Sequence, residues 1–82
     1  MHKVKAVEVL EDYRLKVTFE GNEERLFEAS PYLEKGIFTR LKDPKLFALA
    51  YVQWDTVCWP GDLDISPDTL YLKSKPVSDI AA

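Results

Sequence analysis

From Leu15 the chain reads Leu-Lys-Val-Thr-Phe, apolar and polar residues in strict alternation. That period of two predicts a half-buried strand with Leu15, Val17 and Phe19 on the core side. Upstream, residues 4–10 are β-branched and apolar enough for another strand, and Val7 and Val9 share the odd parity. If all five line one face, paired residue numbers must sum to an even number. The connecting loop is then odd in length, either Asp12-Tyr13-Arg14 or the five residues from Leu10 to Arg14. Gly21-Asn22 marks the next turn. A third strand follows near Arg25 to Ala29, and Phe27 is taken as its core residue ahead of Leu26.

The pattern then loses its period of two. Ser30-Pro31 reads as N-cap and first helical position, with Gly36 as the stop. Leu33, Ile37, Phe38 and Leu41 are spaced so that several can reach one side. Asp43-Pro44 repeats the start signal, and the turn it opens is expected to merge into a strand between Phe47 and Trp54. A further strand, Thr56 to Trp59, ends at Pro60-Gly61. Ser66-Pro67-Asp68 is the third start signal, opening a last short helix over Thr69 to Leu72. The order is β-β-β-α-β-β-α. It predicts an α+β fold: a small two-layer domain, an antiparallel sheet of about five strands with two or three short helices. Residues 1–72 form the single domain, and 73–82 are read as a flexible C-terminal tail.

At 82 residues the chain buries only about two-thirds of its unfolded surface, so its stability margin is thin. One cysteine, Cys58, and one histidine, His2, allow neither an intramolecular disulfide nor a zinc site of Cys and His alone. Stability must come from packing, within the chain or between chains. With 11 Lys and Arg against 14 Asp and Glu, the net charge of −3 does not favour phosphate backbones or anionic lipid. No apolar run approaches the roughly 20 residues of a membrane span, and M-H-K-V-K-A-V-E-V-L lacks the pattern of a signal peptide. A cytoplasmic location is expected, with no membrane contact.

The stretch W-D-T-V-C-W-P-G-D-L-D-I-S-P-D-T-L-Y concentrates the candidate chemistry. Asp62, Asp64, Ser66 and Asp68 begin like a calcium loop, but Pro67 stands where the loop needs Gly and Lys73 where it needs a bidentate Glu. Capping and the helix dipole explain these aspartates without a metal. Cys58 sits between Val57 and Trp59 in a strand and has no base beside it, so it reads as a small hydrophobe. There is no glycine-rich phosphate loop and no G-x-S-x-G. The expectation is no enzyme, no cofactor, no metal and no catalytic residue.

Two binding readings compete. Ten of the thirteen residues from Phe47 to Trp59 are apolar. By parity Leu49 and Tyr51 face one way and Ala48, Ala50, Val52 and Trp54 the other, so either the short helices cover one face or a partner does. Leu49, Tyr51 and Gln53 form the candidate interaction surface, for another small protein or a second copy of the chain. The alternative is a nucleic-acid-associated regulator. It would use Lys3, Lys5, Arg14, Lys16 and Arg25 on the early strands, with Arg14 and Lys16 facing opposite to Leu15 and Val17. Glu8, Glu24 and Glu28 lie between them and argue for a solubilising face instead.

The order of these residues resembles a family of small bacterial proteins known only as a domain of unknown function. The resemblance rests on Leu15-x-Val17-x-Phe19-x-Gly21, Phe27, Gly36-x-Phe38-x-x-Leu41-x-Asp43, Phe47, Thr56-Val57-x-Trp59-Pro60 and Asp64-Ile65-x-Pro67-x-x-Leu70-Tyr71. It covers residues 4–72. It implies a compact α+β domain of bacterial or phage source. It also implies a partner encoded alongside, in pairs of the toxin–antitoxin kind, with this chain as the antitoxin-like or regulatory member. Longer relatives carry an added helix-turn-helix, for which the ten or so residues after Tyr71 leave no room. The resemblance assigns no catalytic residue.

Overall fold

The computed structural model describes residues 2–77. Seven strands form two antiparallel sheets. β1 (Val4–Leu10), β2 (Arg14–Phe19), β3 (Glu23–Glu28) and β7 (Ser74–Pro76) make the larger, in the order β1-β2-β3-β7. β4 (Tyr51–Gln53), β5 (Thr56–Trp59) and β6 (Leu63–Ile65) make the smaller, in that order. Two short α-helices, α1 (Pro44–Phe47) and α2 (Pro67–Leu72), and two 3₁₀ segments, Ser30–Glu34 and Gly36–Lys42, complete it. The fold class is α+β as the pattern predicts, with seven short strands in place of about five.

The parity argument for the first hairpin holds. Val7 pairs with Val17 and Val9 with Leu15. The loop is three residues long, Glu11-Asp12-Tyr13, one position earlier than the three-residue alternative. A bulge between Val4 and Ala6 turns Val4 inward, to 4% exposure, although its number is even. Phe27 pairs with Leu15, and both are fully buried.

Arg25 corrects an expectation. It pairs with Val17, so it lies on the inner side of β3 and not on a basic outer face. Its Nε donates to Ser74 Oγ at 2.7 Å and its Nη2 to the Ser74 carbonyl at 2.8 Å. Nη1 donates to Glu23 at 2.9 Å, and the guanidinium lies 4.1 Å from the centre of the Tyr71 ring. The Arg25 bond, followed by a smaller contribution from the Tyr71 hydroxyl, holds the Glu23 carboxyl below its ordinary value. His2 stacks on Tyr71 at 3.8 Å. A long side chain at the rim of the core is thus fully provided with partners, as burial of a cation requires.

That same network overturns the tail over residues 74–76. β7 pairs with β3 through Arg25, Leu26 and Phe27, and Ser74 is buried. Residues 78–82 of the expected tail lie outside the described residues.

The helical signals fare unevenly. Ser66 caps α2 by accepting from the Thr69 N–H at 3.2 Å, with Pro67 at the first position. Asp43 likewise accepts from the Lys45 N–H at 2.9 Å. Ser30 makes no capping bond: it begins a 3₁₀ segment after Ala29, and Gly36 joins that segment to the next instead of ending a helix. The strand expected from Phe47 begins only at Tyr51. Phe47 N–H bonds to Asp43 O and Ala48 N–H to Pro44 O, so the cap draws Phe47 into α1. The aspartate-rich turn holds β6, whose Leu63 and Ile65 face inward while Asp64 is exposed.

The core lies between the two sheets. The larger sheet contributes Leu15, Val17, Phe19 and Phe27, the smaller Val57, Trp59, Leu63 and Ile65, and Leu33, Leu41, Phe47 and Leu70 come from the helical segments. Trp59 is fully buried, stacks on Phe47 and donates its indole N–H to the Phe47 carbonyl at 3.0 Å. The Val4 N–H reaches the Asp55 carbonyl at 2.8 Å, tying the β4–β5 turn to the larger sheet.

Candidate interaction surface

Because β5 is central in the small sheet, its two neighbours fix which residues share a face. Val52, Val57 and Ile65 form a row toward the core, and Tyr51, Cys58 and Asp64 form the next row, toward the outside. Gln53 lies on the outer side with Tyr51. The three residues predicted as an interaction surface are all exposed, Leu49 at 57% and Tyr51 at 42% among them. Leu49 stands in the turn between α1 and β4, where its N–H bonds to Leu46 O. No helix of the described residues buries these three side chains.

The residue that pattern reading misplaced is Trp54. Parity along an unbroken strand sends it to the same face as Val52. Gln53 pairs with Thr56, so Trp54 and Asp55 are instead the two central residues of a tight hairpin turn. Both have positive φ, 57° and 61°, as a type I′ turn demands. Trp54 is 80% exposed, the most exposed large hydrophobic side chain among the described residues. Two residues between two β-rich runs were the available signal, but Trp-Asp is not the Asn-Gly type that announces such a turn.

Tyr51, Gln53, Trp54, Cys58, Asp62 and Asp64 line a shallow cleft of about 150 Å³ on this face. Asp62 reaches it from the turn after β5, where Gly61 and Asp62 both take positive φ. Burial pushes the Cys58 thiol up, and the nearby Asp64 carboxylate adds to the shift. Cys58 is therefore a neutral thiol at neutral pH, and its S–H points to the Gln53 carbonyl at 3.5 Å. Among the described residues no group of three or more His, Cys, Asp or Glu is placed to hold a metal ion. Ser66 is occupied as a cap, and Asp68 accepts from the His2 backbone N–H at 3.4 Å.

The outer face of the larger sheet carries mixed charge. Lys16 sits 3.2 Å from Glu8 and 4.0 Å from Glu24. The Glu8 hydrogen bond, with the field of both glutamates, raises its proton affinity. Arg14 donates to the Glu11 carbonyl and, with Lys73, Lys75 and Glu28, borders a depression around Leu26. Three cationic side chains and one carboxylate thus surround Leu26, while Lys16 is held between two glutamates.

Residues 4–76 match the model of a family described as "Protein of unknown function (DUF2442)". The chain belongs to this family. The match agrees with the resemblance to a small domain of unknown function, and it runs past Tyr71 to the last residue of β7, so β7 is part of the DUF2442 domain. No curated protein and no solved structure matches the chain. No helix of the described residues is long and apolar enough to cross a membrane.

Proposed function

We propose that this DUF2442 domain is a protein-interaction module that binds through the outer face of β4–β5–β6. The observation that carries the reading is Trp54, held 80% exposed at a turn whose backbone a tryptophan adopts reluctantly. A bulky side chain in a left-handed conformation costs about 1–2 kcal/mol. Such strain is characteristic of sites kept for function and not for stability. Leu49 and Tyr51 extend the apolar area beside it. Tryptophan and tyrosine are also the residue types that dominate binding energy at interfaces. What the face offers is contact area and not a reacting group, so the reading is of a binding protein and not an enzyme. In the paired arrangement that the family resemblance implies, this chain is the antitoxin-like or regulatory member, working inside a bacterial cell.

Copurification from the native host, with identification of what comes along, tests this. Trp54→Glu and Tyr51→Lys are run beside the wild type, and sedimentation over a range of concentrations registers a second copy as partner. Each variant should keep the melting temperature and lose association at least about tenfold, the scale of an interface tryptophan. Unchanged association in both variants would overturn the proposal, as would a Trp54→Glu protein that fails to fold.

A further inference from the structure

The cleft beside Trp54 has a chemistry of its own. Asp62 and Asp64 line it, and no lysine or arginine does. Asp55 belongs to the same turn as Trp54. Among the described residues none of these three aspartates is ion-paired, whereas Lys16, Arg25 and Lys42 each hold a glutamate. Arg40 lies against Gly61, 3.2 Å from where a β-carbon there would stand, but it neither lines the cleft nor pairs with Asp62. Here an aromatic patch is bordered by carboxylates, with no cation among the residues that line the cleft.

The size of the cleft narrows what can enter. Pockets for cofactors and drug-sized ligands run from roughly 300 Å³ upward. This cleft, at about 150 Å³ and open to solvent, seats the end of one side chain and does not enclose a cofactor. A planar cation of that size, with donors directed at carboxylates and a flat face for an aromatic ring, is a guanidinium. Arginine suits the place better than lysine, because it stacks on rings, forks to carboxylates and sheds its water more readily. The exposed Leu49 and Tyr51, and the position of β4 at the sheet edge, call for apolar residues around that arginine.

We infer that the cleft between Trp54, Tyr51, Asp62 and Asp64 is a socket for one arginine of a partner protein, presented on a segment with apolar flanking residues. This rests on the interaction reading above and specifies its occupant. The field of the three aspartates would also speed encounter with a basic partner at low ionic strength.

The test is a two-dimensional ¹H–¹⁵N NMR titration of the intact chain with N-acetyl-arginine amide, its lysine counterpart and its neutral citrulline counterpart. Arginine should shift the Trp54 indole N–H and the backbone amides of Tyr51, Cys58 and Asp64. Lysine should act more weakly and citrulline should leave them in place. Asp64→Asn should weaken the arginine response about two- to fivefold, the range for an exposed ion pair, and 0.5 M salt should reduce it further. Equal shifts with citrulline, shifts spread over the whole surface, or none at all would overturn the socket. That result would leave the interaction reading standing, because the reading is judged by Trp54→Glu and Tyr51→Lys in the association assay and not by these probes. Conversely, an arginine-specific response alongside unchanged association in both Trp54→Glu and Tyr51→Lys would show a guanidinium site that no partner uses, and would overturn the socket as a partner contact together with the interface.

Discussion

The two tryptophans stand five positions apart and do opposite things. Trp59 is fully enclosed, and its one polar atom is satisfied by the Phe47 carbonyl. Trp54 is almost fully in water. The difference comes from the strand and turn that hold them and not from the residue type. Trp59→Ala should therefore cost about 3–5 kcal/mol, the range for a large aromatic removed from a core. In a domain whose total stability is about 5–15 kcal/mol, that approaches loss of the fold. Trp59→Phe separates the contributions: the ring volume is mostly kept, but the Phe47 carbonyl loses one of its two donors and keeps only the longer Ala50 N–H bond at 3.4 Å, which costs about 0.5–1.5 kcal/mol. Urea unfolding of the two variants measures both. A Trp59→Ala protein as stable as the wild type would show that the core closes without the ring. At this scale the sequence was informative about Leu15 and Val17, whose neighbours alternate cleanly, whereas Phe27 beside Leu26 had to be chosen by ring size and is buried as chosen. It was misleading for Arg25, because nothing local reveals that Ser74 waits 49 residues away to receive its donors.

At the scale of elements, the legible parts are those fixed by local rules. The inward face of the first hairpin follows from parity, which leaves its register open between two loops, and the turn at Gly21-Asn22 and the cap at Ser66 follow from residue chemistry. The segment from Phe47 to Trp54 was not legible as a unit, because an apolar run without period fits strand and helix alike. The Asp43 cap decides for a helix at its start, and the β5 partner decides for a strand at its end. The outer-face position of Tyr51 and Gln53 survives this division, since both remain on β4; Trp54 does not, since it passes into the turn. That turn gives the element-scale prediction. Replacing Trp54-Asp55 by Asn-Gly puts the preferred residues for this turn at two positions of positive φ. The double variant should be more stable by about 1 kcal/mol, which corresponds to roughly 4–8 °C in a domain of this size. The Val4 bond to the Asp55 carbonyl is a backbone bond and is kept. The same variant should lose partner association. A gain of stability with loss of binding is the signature of a site retained against the interest of the fold. If the melting temperature falls instead, Trp54 is packing against its hairpin, and its exposure has no bearing on partners.

For the whole molecule, the question is what makes two small sheets one unit. Each sheet has an apolar face that must be covered, and the two cover one another. They share a core, and β7 extends the larger sheet with a segment that follows directly from α2, so the end of the described chain closes the layer begun by β1 to β3. Composition suggested a tail there, because Lys73, Lys75 and Pro76 carry no strand propensity. What holds β7 is tertiary. Three ladder pairs join it to β3, Ser74 is buried and accepts twice from Arg25, and the Ser74 hydroxyl donates to the Tyr71 carbonyl at 2.9 Å. Cutting the chain after Lys73 removes all of this and leaves Arg25 on the inner side of β3 without two of its acceptors. Hydrogen bonds to a charged group contribute about 1.5–3 kcal/mol each, offset here by water reaching the cut edge, so the expected loss is about 2–4 kcal/mol. The reference is a chain ending at Val77, and the comparison is the urea midpoint of the two proteins. Ser74→Ala in the full chain should show a smaller loss in the same direction, because it removes one acceptor and keeps the ladder. Coincident midpoints for the chains ending at Lys73 and Val77 would mean that β7 adds no stability, that Arg25 is satisfied by Glu23, Tyr71 and water alone, and that the domain ends at Leu72 after all.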